Sequence, residues 1–420
     1  MQPVQIICEK AKNASRQVAL TTTAGKNAAL SALQDWLLSH EDPIRRANAV
    51  DVEEARQQGL SEAMIDRLEL TEKRIRSMAA DLENVISLQD PVGEVFEART
   101  LENGLRIHKH RVPLGVIGVV YESRPNVTID VAALALKSGN CVVLRGGKET
   151  IHSNRVLVAG IQQALETAGL DADAVQFIDS PDRALVKQFL KMDAYVDMLI
   201  PRGGAGLHQF CKDNATIPVI TGGIGVCHLF VDERVDIERS LEVIRNAKIQ
   251  RPSTCNALDT ILVHAKIAEK FIPRVVRDLI DLGVSIRIEA EHAARLGLIL
   301  CEKIQPAGEG DFDREWLSLT LSVRVVQDLA DAVGHIRAHS TGHSDGILTE
   351  NEKNAERFIA AVDSAAVYVN ASTRFTDGAQ LGLGAEVAIS TQRLHARGPM
   401  ALEELTTYKW VVEGDYHVRA

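Results

Sequence analysis

The chain has little of what marks several common functional classes. Of its 420 residues only 4% are aromatic, and its formal net charge is −10. A nucleic-acid surface needs a basic face and stacking rings, so both shortages argue against one. No apolar run approaches the ~20 residues of a membrane-spanning helix, and the amino terminus has no signal-peptide pattern. We therefore expect a cytoplasmic protein that binds neither nucleic acid nor membrane.

The cysteines and histidines show no spacing typical of a metal site. None of the six cysteines belongs to a Cys-x-x-Cys pair, which excludes the usual zinc spacings and a disulfide framework, and favours a reducing compartment. Three histidines, His335, His339 and His343, do stand at helical spacing. Because Ser340-Thr341-Gly342 predicts the end of that helix before His343, we expect structural or hydrogen-bonding histidines and no metal ion.

Length and hydropathy pattern predict more than one α/β domain. At 420 residues and 45% hydrophobic content, the chain exceeds the size at which one core stops growing. Residues 1 to about 90 have the apolar spacing of several helices. Beyond residue 112, short apolar strands alternate with helices, which is typical of parallel sheets. The predicted strands are 116–121, 141–144, 175–178, 196–200, 217–220, 226–231, 260–263, 286–288, 317–326, 347–348 and 366–369.

The predicted domain boundaries depend on glycine punctuation. Gly222-Gly223-Ile224-Gly225 suggests a division into residues 1–225, expected to bind a dinucleotide, and residues 226–375, expected to carry the chemistry. A β-hairpin is predicted over residues 97–112, because Asn103-Gly104 separates two alternating segments. We expect this arm and the returning segment 376–420 to take part in homo-oligomer contacts.

The most informative residue is Cys255, which lies in the polar run Gln250-Arg251-Pro252-Ser253-Thr254-Cys255-Asn256-Ala257. A thiol attacks a carbonyl as its thiolate, and its ordinary pKa near ~8.5 has to be lowered by a polar, partly exposed setting with donors nearby. The flanking side chains offer that setting, so we interpret Cys255 as a nucleophile. A packed structural cysteine is the alternative.

Two glycine-rich turns follow predicted strands and precede predicted helices. The first is Arg145-Gly146-Gly147-Lys148 and the second is Arg202-Gly203-Gly204. Such turns let the backbone approach a phosphate at a helix N-terminus, and the basic side chains add charge. For each turn alone, a tight connection with solvated charges is the alternative. Neither turn is the Gly-x-Gly-x-x-Gly fingerprint or a P-loop, but two such cradles in one sheet suggest a dinucleotide.

Several longer motifs resemble the aldehyde dehydrogenase superfamily. Segments 111–118 (RVPLGVIG), 124–126 (RPN) and 138–145 (SGNCVVLR) follow the order of its Pro-x-Gly-Val strand, Trp-Asn segment and Gly-Asn strand. Within the superfamily, the segments PRGGAGL, VITGGIG, the run around Cys255 and the histidine-bearing stretch before residue 347 are similar to the glutamate-5-semialdehyde dehydrogenase family. The likeness extends from the first helices to the final strand around Tyr408-Lys409-Trp410. It implies an aldehyde dehydrogenase-like α/β fold.

The resemblance implies a reduction carried out through a cysteine thioester. Cys255 would attack the carbonyl of L-glutamyl 5-phosphate and expel phosphate, and hydride from NADPH would reduce the thioester to release L-glutamate 5-semialdehyde, the second step of proline synthesis from glutamate. Asn126 and the Cys255 backbone N–H would hold the oxyanion. Hydrolytic relatives carry a glutamate where this chain has Ile220, so no carboxylate there would activate water against the thioester.

The resemblance also implies NADP(H) as the cofactor. Lys148 stands about where NAD-preferring relatives have a carboxylate for the adenosine ribose, and a cation there would accept a 2′-phosphate, with Arg145 helping. Glu315 roughly matches the glutamate that holds the nicotinamide ribose, with a solvated helix end as its alternative. The other cofactor candidates are Gly146, Gly147, Arg202, Gly203 and Gly204. Substrate-binding candidates, each of which could instead make surface or subunit contacts, are Arg124, Arg251, Thr254, Arg374, Thr376 and Glu386.

Other functions stay open at this point. One is a cysteine-dependent aldehyde or acyl-phosphate dehydrogenase with a different substrate. Another is a cysteine acyltransferase or hydrolase without a redox cofactor, which needs a histidine as base for Cys255, and the sequence identifies none. A non-catalytic scaffold is disfavoured by the presence of Cys255 and Asn126. Because the acyl phosphate is unstable, we expect a separate glutamate 5-kinase to supply it.

Overall fold

The computed structural model describes residues 3–419, which form two compact units. Of the described residues, the first unit takes in 3–221, 382–388 and 400–419, and the second takes in 222–381 and 389–399. Residues 376–420 are thus shared between the two units. Within residues 3–419, no helix combines the length and apolar character that crossing a bilayer requires.

Helices and strands alternate along most of the chain. The helices are α1 (Pro3–Val18), α2 (Thr23–Ser39), α3 (Glu41–Gln57), α4 (Glu62–Leu68), α5 (Glu72–Ser87), α6 (Asn126–Lys137), α7 (Ile151–Thr167), α8 (Arg183–Phe189), α9 (Ala205–Asn214), α10 (Ile237–Ile249), α11 (Ala265–Asp281), α12 (Ala290–Arg295), α13 (Leu329–His339) and α14 (Glu352–Ala361). The strands are β1 (Val95–Thr100), β2 (Arg106–Pro113), β3 (Val116–Tyr121), β4 (Cys141–Arg145), β5 (Val175–Phe177), β6 (Met198–Arg202), β7 (Cys227–Val231), β8 (Leu258–His264), β9 (Ser285–Ile288), β10 (Ile304–Pro306), β11 (Thr320–Val326), β12 (Ser344–Leu348), β13 (Ala366–Val369), β14 (Ala388–Ser390), β15 (Gly398–Met400) and β16 (Thr406–Glu413).

The first unit contains a four-stranded parallel sheet in the order β5-β4-β3-β6. Strands β3 and β4 are buried along their whole length, as expected for a sheet covered on both faces. The pairing sets Val120 beside Arg145 and Tyr121 beside Arg202. The residues that follow these strands therefore meet at the carboxyl edge, where open α/β sheets bind their ligands.

The second unit is built on a seven-stranded parallel sheet in the order β10-β9-β11-β8-β7-β12-β13. Its core packs α10 and α11 on the central strands through fully buried residues such as Ile244, Phe271 and Ile272. The pairing of β7 with β8 sets Cys227 beside Leu258. The residues just before these two strands therefore meet at the amino edge of the sheet.

The predicted α/β architecture is confirmed, with one strand missing and several short ones added. Residues 217–220 form only an isolated bridge between Leu199 and Val219, because Pro218 lacks the N–H that a longer ladder needs. Strands β10, β14 and β15 have three residues each, which is too short for a periodic signal. The hairpin of β1 and β2 is confirmed as an antiparallel pair, and β16 adds to it as a third strand.

Candidate active site

Cys255 lies in the loop that joins α10 to β8, at the amino edge of the seven-stranded sheet. All six cysteines are described and none forms a disulfide, but their surroundings differ. Burial raises the pKa of the Cys8 and Cys141 thiols to about 12 and that of Cys211 to about 11. Cys255 is only half-buried, as the interpretation of a nucleophile requires. The alternative of a fully packed structural cysteine is therefore not what the structure shows.

Hydrogen bonds between side chains hold the loop on both sides of Cys255. Arg374 Nη1 donates to Thr254 Oγ1 over 2.9 Å and also contacts Asn256 Oδ1. The Thr254 hydroxyl donates to Asn256 Oδ1 over 2.9 Å, and Asn256 Nδ2 donates to the Thr376 carbonyl over 3.0 Å. The segment around residue 374 thus fixes the residues next to the thiol.

Gly225 joins the Cys255 loop to Glu315. A Cβ at position 225 would overlap the Cys255 carbonyl oxygen, so the two backbones approach as closely as only glycine permits. The Gly225 N–H donates to Glu315 Oε1 over 3.0 Å. The pKa of Glu315 is raised to about 7, mainly by burial. The Gly225 hydrogen bond opposes this shift, and the negative charge of Asp259 contributes to it. Glu315 thus belongs to the surroundings of Cys255 and does not lie on a solvated helix end.

The remaining substrate candidates of the second unit have different environments. Thr254 and Arg374 bind each other, as described above. The Thr376 hydroxyl is fully buried and forms hydrogen bonds of 2.6 Å with Ser344 Oγ and with the Tyr368 hydroxyl. Its side chain therefore forms hydrogen bonds within the interior of the second unit. Arg251 is exposed.

Asn126 begins α6, beyond the carboxyl end of β3 in the first unit. Its Nδ2 donates to Asp130 Oδ2 over 2.8 Å, one turn along the same helix. Burial raises the pKa of Asp130 to about 6, although the Asn126 hydrogen bond opposes the shift. An amide nitrogen carries two hydrogens, so this bond leaves one N–H of Asn126 for another acceptor. Arg124 and Glu386 are half-buried residues of the same unit.

The first glycine-rich turn leads into a helix whose N-terminus is already occupied. Asp51, a buried residue of α3, accepts hydrogen bonds from the backbone N–H groups of His152 and Ser153 over 3.1 and 2.8 Å. Asp51 therefore already occupies two of the first amides of α7, and phosphate binding by the turn itself stays a prediction. Arg145 is buried with Nε unpartnered, and Lys148 is exposed and donates to Gln58. Gly146 and Gly147 connect these two cations.

The second glycine-rich turn is open. At Gly204, the N-cap of α9, and at Gly206 an added Cβ would meet no atom within 4 Å. The Gly204 N–H donates to Glu122 Oε2 over 3.1 Å, and Gly203 lies against the same carboxylate. Arg202 is half-buried at the end of β6. This turn provides open space and the positive charge of Arg202 for a phosphate, although the Glu122 carboxylate already accepts the Gly204 N–H.

The histidines of the cluster lie in and just after helix α13, and His335 and His343 are buried. Helix α13 ends at His339, so His343 lies beyond it as expected. His335 Nδ1 lies 3.0 Å from Arg324 Nη1, and burial lowers its pKa to about 2. Burial also lowers the pKa of His343 to about 4. Among residues 3–419, no group of three or more His, Cys, Asp or Glu side chains is arranged to hold a metal ion.

Sequence reasoning missed four residues that shape these sites. Gly225 had a signal, since its glycine run was noted, but only as a domain boundary. Asp130 follows Asn126 at the spacing of one helical turn, which could have suggested the pair. Asp51 and Glu122 reach their partners from distant elements, and no local pattern predicts such contacts.

Comparison with known proteins gives a consistent result. The protein-family model described as "Aldehyde dehydrogenase family" matches residues 2–294 of this chain. A protein of Vibrio vulnificus named gamma-glutamyl phosphate reductase is 58% identical over 410 residues, which are 98% of each chain. The crystal structure of gamma-glutamyl phosphate reductase from Thermotoga maritima has a TM-score of 0.96 at 47% identity and covers 99% of this chain and 100% of its own. An engineered glycolyl-CoA reductase with bound NADP+ shares the fold, with a TM-score of 0.68 at 18% identity over 98% of this chain and 96% of its own.

We predict that Gly225→Ala disrupts the Cys255 loop. The new methyl group must displace the Cys255 carbonyl, and overpacking of this kind destabilises a protein by about 1–3 kcal/mol. Denaturant unfolding measures the stability, and the rate of Cys255 alkylation reports the geometry. Gly334→Ala in α13 is the control, because nothing lies within 4 Å of its added Cβ, and it should stabilise by ~0.5–1 kcal/mol. Equal effects of the two substitutions would contradict the close approach.

Proposed function

Because this chain belongs to the aldehyde dehydrogenase family, and within it to the group of gamma-glutamyl phosphate reductases, we propose that it reduces L-glutamyl 5-phosphate to L-glutamate 5-semialdehyde and phosphate. The observation that carries the proposal is the likeness to such reductases over nearly the whole of both chains. The half-buried Cys255 thiol in its hydrogen-bonded loop gives that likeness a chemical basis. The same reaction supplies the semialdehyde that closes to the ring precursor of proline.

Cys255 acts as the nucleophile in this proposal. Its thiolate attacks the acyl carbonyl, the carbon–oxygen bond to phosphate breaks, and a thioester remains on Cys255. Asn126 donates its second N–H to the oxyanion that forms during the attack, while its first N–H stays with Asp130. Loss of one such donor typically raises the barrier by ~2.7–4 kcal/mol.

Position 220 supplies no base that could activate water against the thioester. Ile220 is buried and apolar, where hydrolytic members of the family carry a glutamate. An isoleucine cannot take a proton from water, so no hydroxide is generated from that position. The thioester then persists until it is reduced, and in the reverse direction inorganic phosphate accepts the acyl group.

The residues of the first unit fit NADP(H). The open turn Arg202-Gly203-Gly204 suits a phosphate, and the unpartnered, buried Nε of Arg145 is a donor that lacks an acceptor among the described residues. Lys148 suits the 2′-phosphate of the adenosine ribose, and the resemblance assigns Glu315 to the hydroxyls of the nicotinamide ribose. When bound, NADPH supplies the hydride.

We expect reduction of NADP by this protein, with pyrroline-5-carboxylate as substrate, to require inorganic phosphate. Phosphate must discharge the Cys255 thioester, since no hydrolytic carboxylate is available. Absorbance of the reduced nicotinamide follows the reaction, Cys255→Ser should abolish it, and Asn126→Ala should lower kcat about 10²–10³-fold. Equal rates with and without phosphate would instead indicate an oxidative aldehyde dehydrogenase, and turnover by Cys255→Ser would exclude the thioester.

A charge reversal at Lys148 should change the cofactor preference. A carboxylate at this position repels a 2′-phosphate and accepts hydrogen bonds from a free ribose, so Lys148→Glu should lower the NADP-to-NAD ratio of kcat/KM by at least about tenfold. Lys187→Glu, an equally exposed lysine of α8, is the matched control and should leave the ratio unchanged. An unchanged ratio in Lys148→Glu would remove this residue from the cofactor site.

We also infer that the sheet β1-β2-β16 joins copies of this chain in a homo-oligomer. Tyr408, Trp410 and Val412 alternate along β16 on one face and are 47%, 48% and 59% exposed. The outer edges of β1 and β16 are free to pair within the described sheet, and an exposed edge beside apolar side chains favours self-association. Lys109 covers part of this face, with Nζ 4.3 Å from the centre of the Tyr408 ring.

The oligomer can be tested by sedimentation. Val412→Glu places a charge in the proposed contact and should lower the sedimenting mass toward that of one chain. Lys409→Glu, an exposed position of the opposite face of β16, should leave the mass unchanged. If the unsubstituted protein sediments with the mass of a single chain, the inference is wrong.

Substrate supply and compartment follow from the same chemistry. An acyl phosphate is hydrolysed readily, so we infer that a kinase acting on glutamate delivers it without long delay. A cytoplasmic location suits a nucleophilic thiol, because a reducing compartment keeps it from oxidation.

A further inference from the structure

We propose that Arg374 is the positioning residue that activates Cys255, holding the side chains on both sides of the thiol and stabilising the thiolate with its guanidinium charge. The inference deepens the proposed function, which makes Cys255 the nucleophile, and it assigns the activating group that sequence reasoning left open. It gives Arg374 a different role from the substrate contact predicted above.

The guanidinium group meets three residues of the Cys255 loop. Nε donates to Gln250 Oε1 over 3.1 Å, and Nη1 donates to Thr254 Oγ1 over 2.9 Å and to Asn256 Oδ1. These partners lie before and after Cys255 in sequence. A planar guanidinium that binds both sides of a loop restricts the residue between them, because its donors are fixed in one fork.

The loop binds the Arg374 segment in return. Asn256 Nδ2 donates to the Arg374 carbonyl over 3.3 Å, and the Thr373 hydroxyl donates to the Asn256 carbonyl over 2.7 Å. Asn256 is 4% exposed, so these bonds are shielded from water. Buried Thr376 anchors the other side of the segment through its own hydrogen bonds. Arg374 is therefore held in place rather than free to follow a substrate.

The charges around the loop favour a thiolate at Cys255. Burial lowers the pKa of Arg374, as does the positive charge of Arg251, whereas Asp377 and then the Cys255 thiolate raise it. Attraction between two charges is mutual, so the guanidinium that the thiolate stabilises also stabilises the thiolate. Among the neighbours, Glu315 contacts Gly225, and the Cys227 thiol donates to the Cys255 carbonyl over 3.2 Å.

Proton balance does not require a base in this arrangement. The thiol proton leaves to solvent, because Cys255 is only half-buried. Arg374 stays protonated throughout and transfers nothing. Burial raises the pKa of Cys227 well above its ordinary value, so the nearest thiol stays neutral and does not compete as an anion.

Alkylation of Cys255 as a function of pH tests the proposal without substrate or cofactor. The full chain is treated with iodoacetamide, and modification of the Cys255 peptide is quantified by mass spectrometry, with exposed Cys301 of the same molecules as internal reference. Arg374→Gln should move the pH midpoint up by about one unit and slow alkylation at pH 7 by roughly tenfold. Arg374→Lys should give an intermediate midpoint, since it keeps the charge but loses the fork.

Arg245→Gln is the matched control. Arg245 lies on α10, the helix that leads into the loop, and is paired with Asp278 over 2.7 Å. The same chemical change at this position should leave the Cys255 midpoint where it is. Cys301 should keep its rate in every variant, and thermal unfolding confirms that each variant is folded.

An unchanged Cys255 midpoint in both Arg374→Gln and Arg374→Lys overturns the proposal. If Arg374→Gln does not fold, an unchanged midpoint in Arg374→Lys alone overturns it, since one ammonium cannot replace the three contacts. These results do not depend on the reductase assay. If the reductase assay showed no phosphate-dependent reduction of NADP, the proposed function would be wrong, but the alkylation result would still stand. Conversely, an unchanged alkylation midpoint would overturn the role of Arg374 and leave the proposed function intact.

Discussion

The parallel pairing of β7 with β8 is the constraint on which the geometry around Cys255 depends. It brings Gly225, just before β7, against Cys255, just before β8. Only a glycine at position 225 allows the contact with the Cys255 carbonyl. The same glycine donates its N–H to Glu315, which precedes the neighbouring strand β11. The Cys255 loop, the Gly225 turn and Glu315 are thus brought together by the register of neighbouring strands.

Side chains then decide which cysteine can react. Burial disfavours the thiolate of Cys8, Cys141 and Cys211, while Cys255 lies in a half-buried polar loop whose Thr254 accepts a hydrogen bond from the Arg374 guanidinium. The loop is held by Arg374 and Asn256, so the thiol has a defined direction as well as a favourable charge nearby. The proposed difference from a hydrolytic relative is the absence of a base, because the side chain of Ile220 is apolar.

The sequence was sufficient for features that depend on local pattern. Strands β3 and β13 match the predicted ranges residue for residue, the hairpin around Asn103-Gly104 is present, and α13 ends before His343. Contacts between distant segments were not predictable in this way. Asp51 caps a helix that begins 100 residues later, and Arg374 meets Asn256 across 118 residues of chain. Cys255 was interpreted as a nucleophile from its polar sequence setting, whereas the roles of Asn126 and Lys148 came from family resemblance. The structure supplies the surroundings of all three residues.

The proposed mechanism requires that the acyl group is carried by Cys255 and is not hydrolysed there by water. Mass spectrometry of the protein mixed with NADP and pyrroline-5-carboxylate, in the absence of phosphate, tests it directly. We predict one glutamyl group on the Cys255 peptide, one equivalent of reduced cofactor per chain, and discharge of the adduct when phosphate is added. An adduct on another residue, or one lost equally fast without phosphate, would contradict the claim.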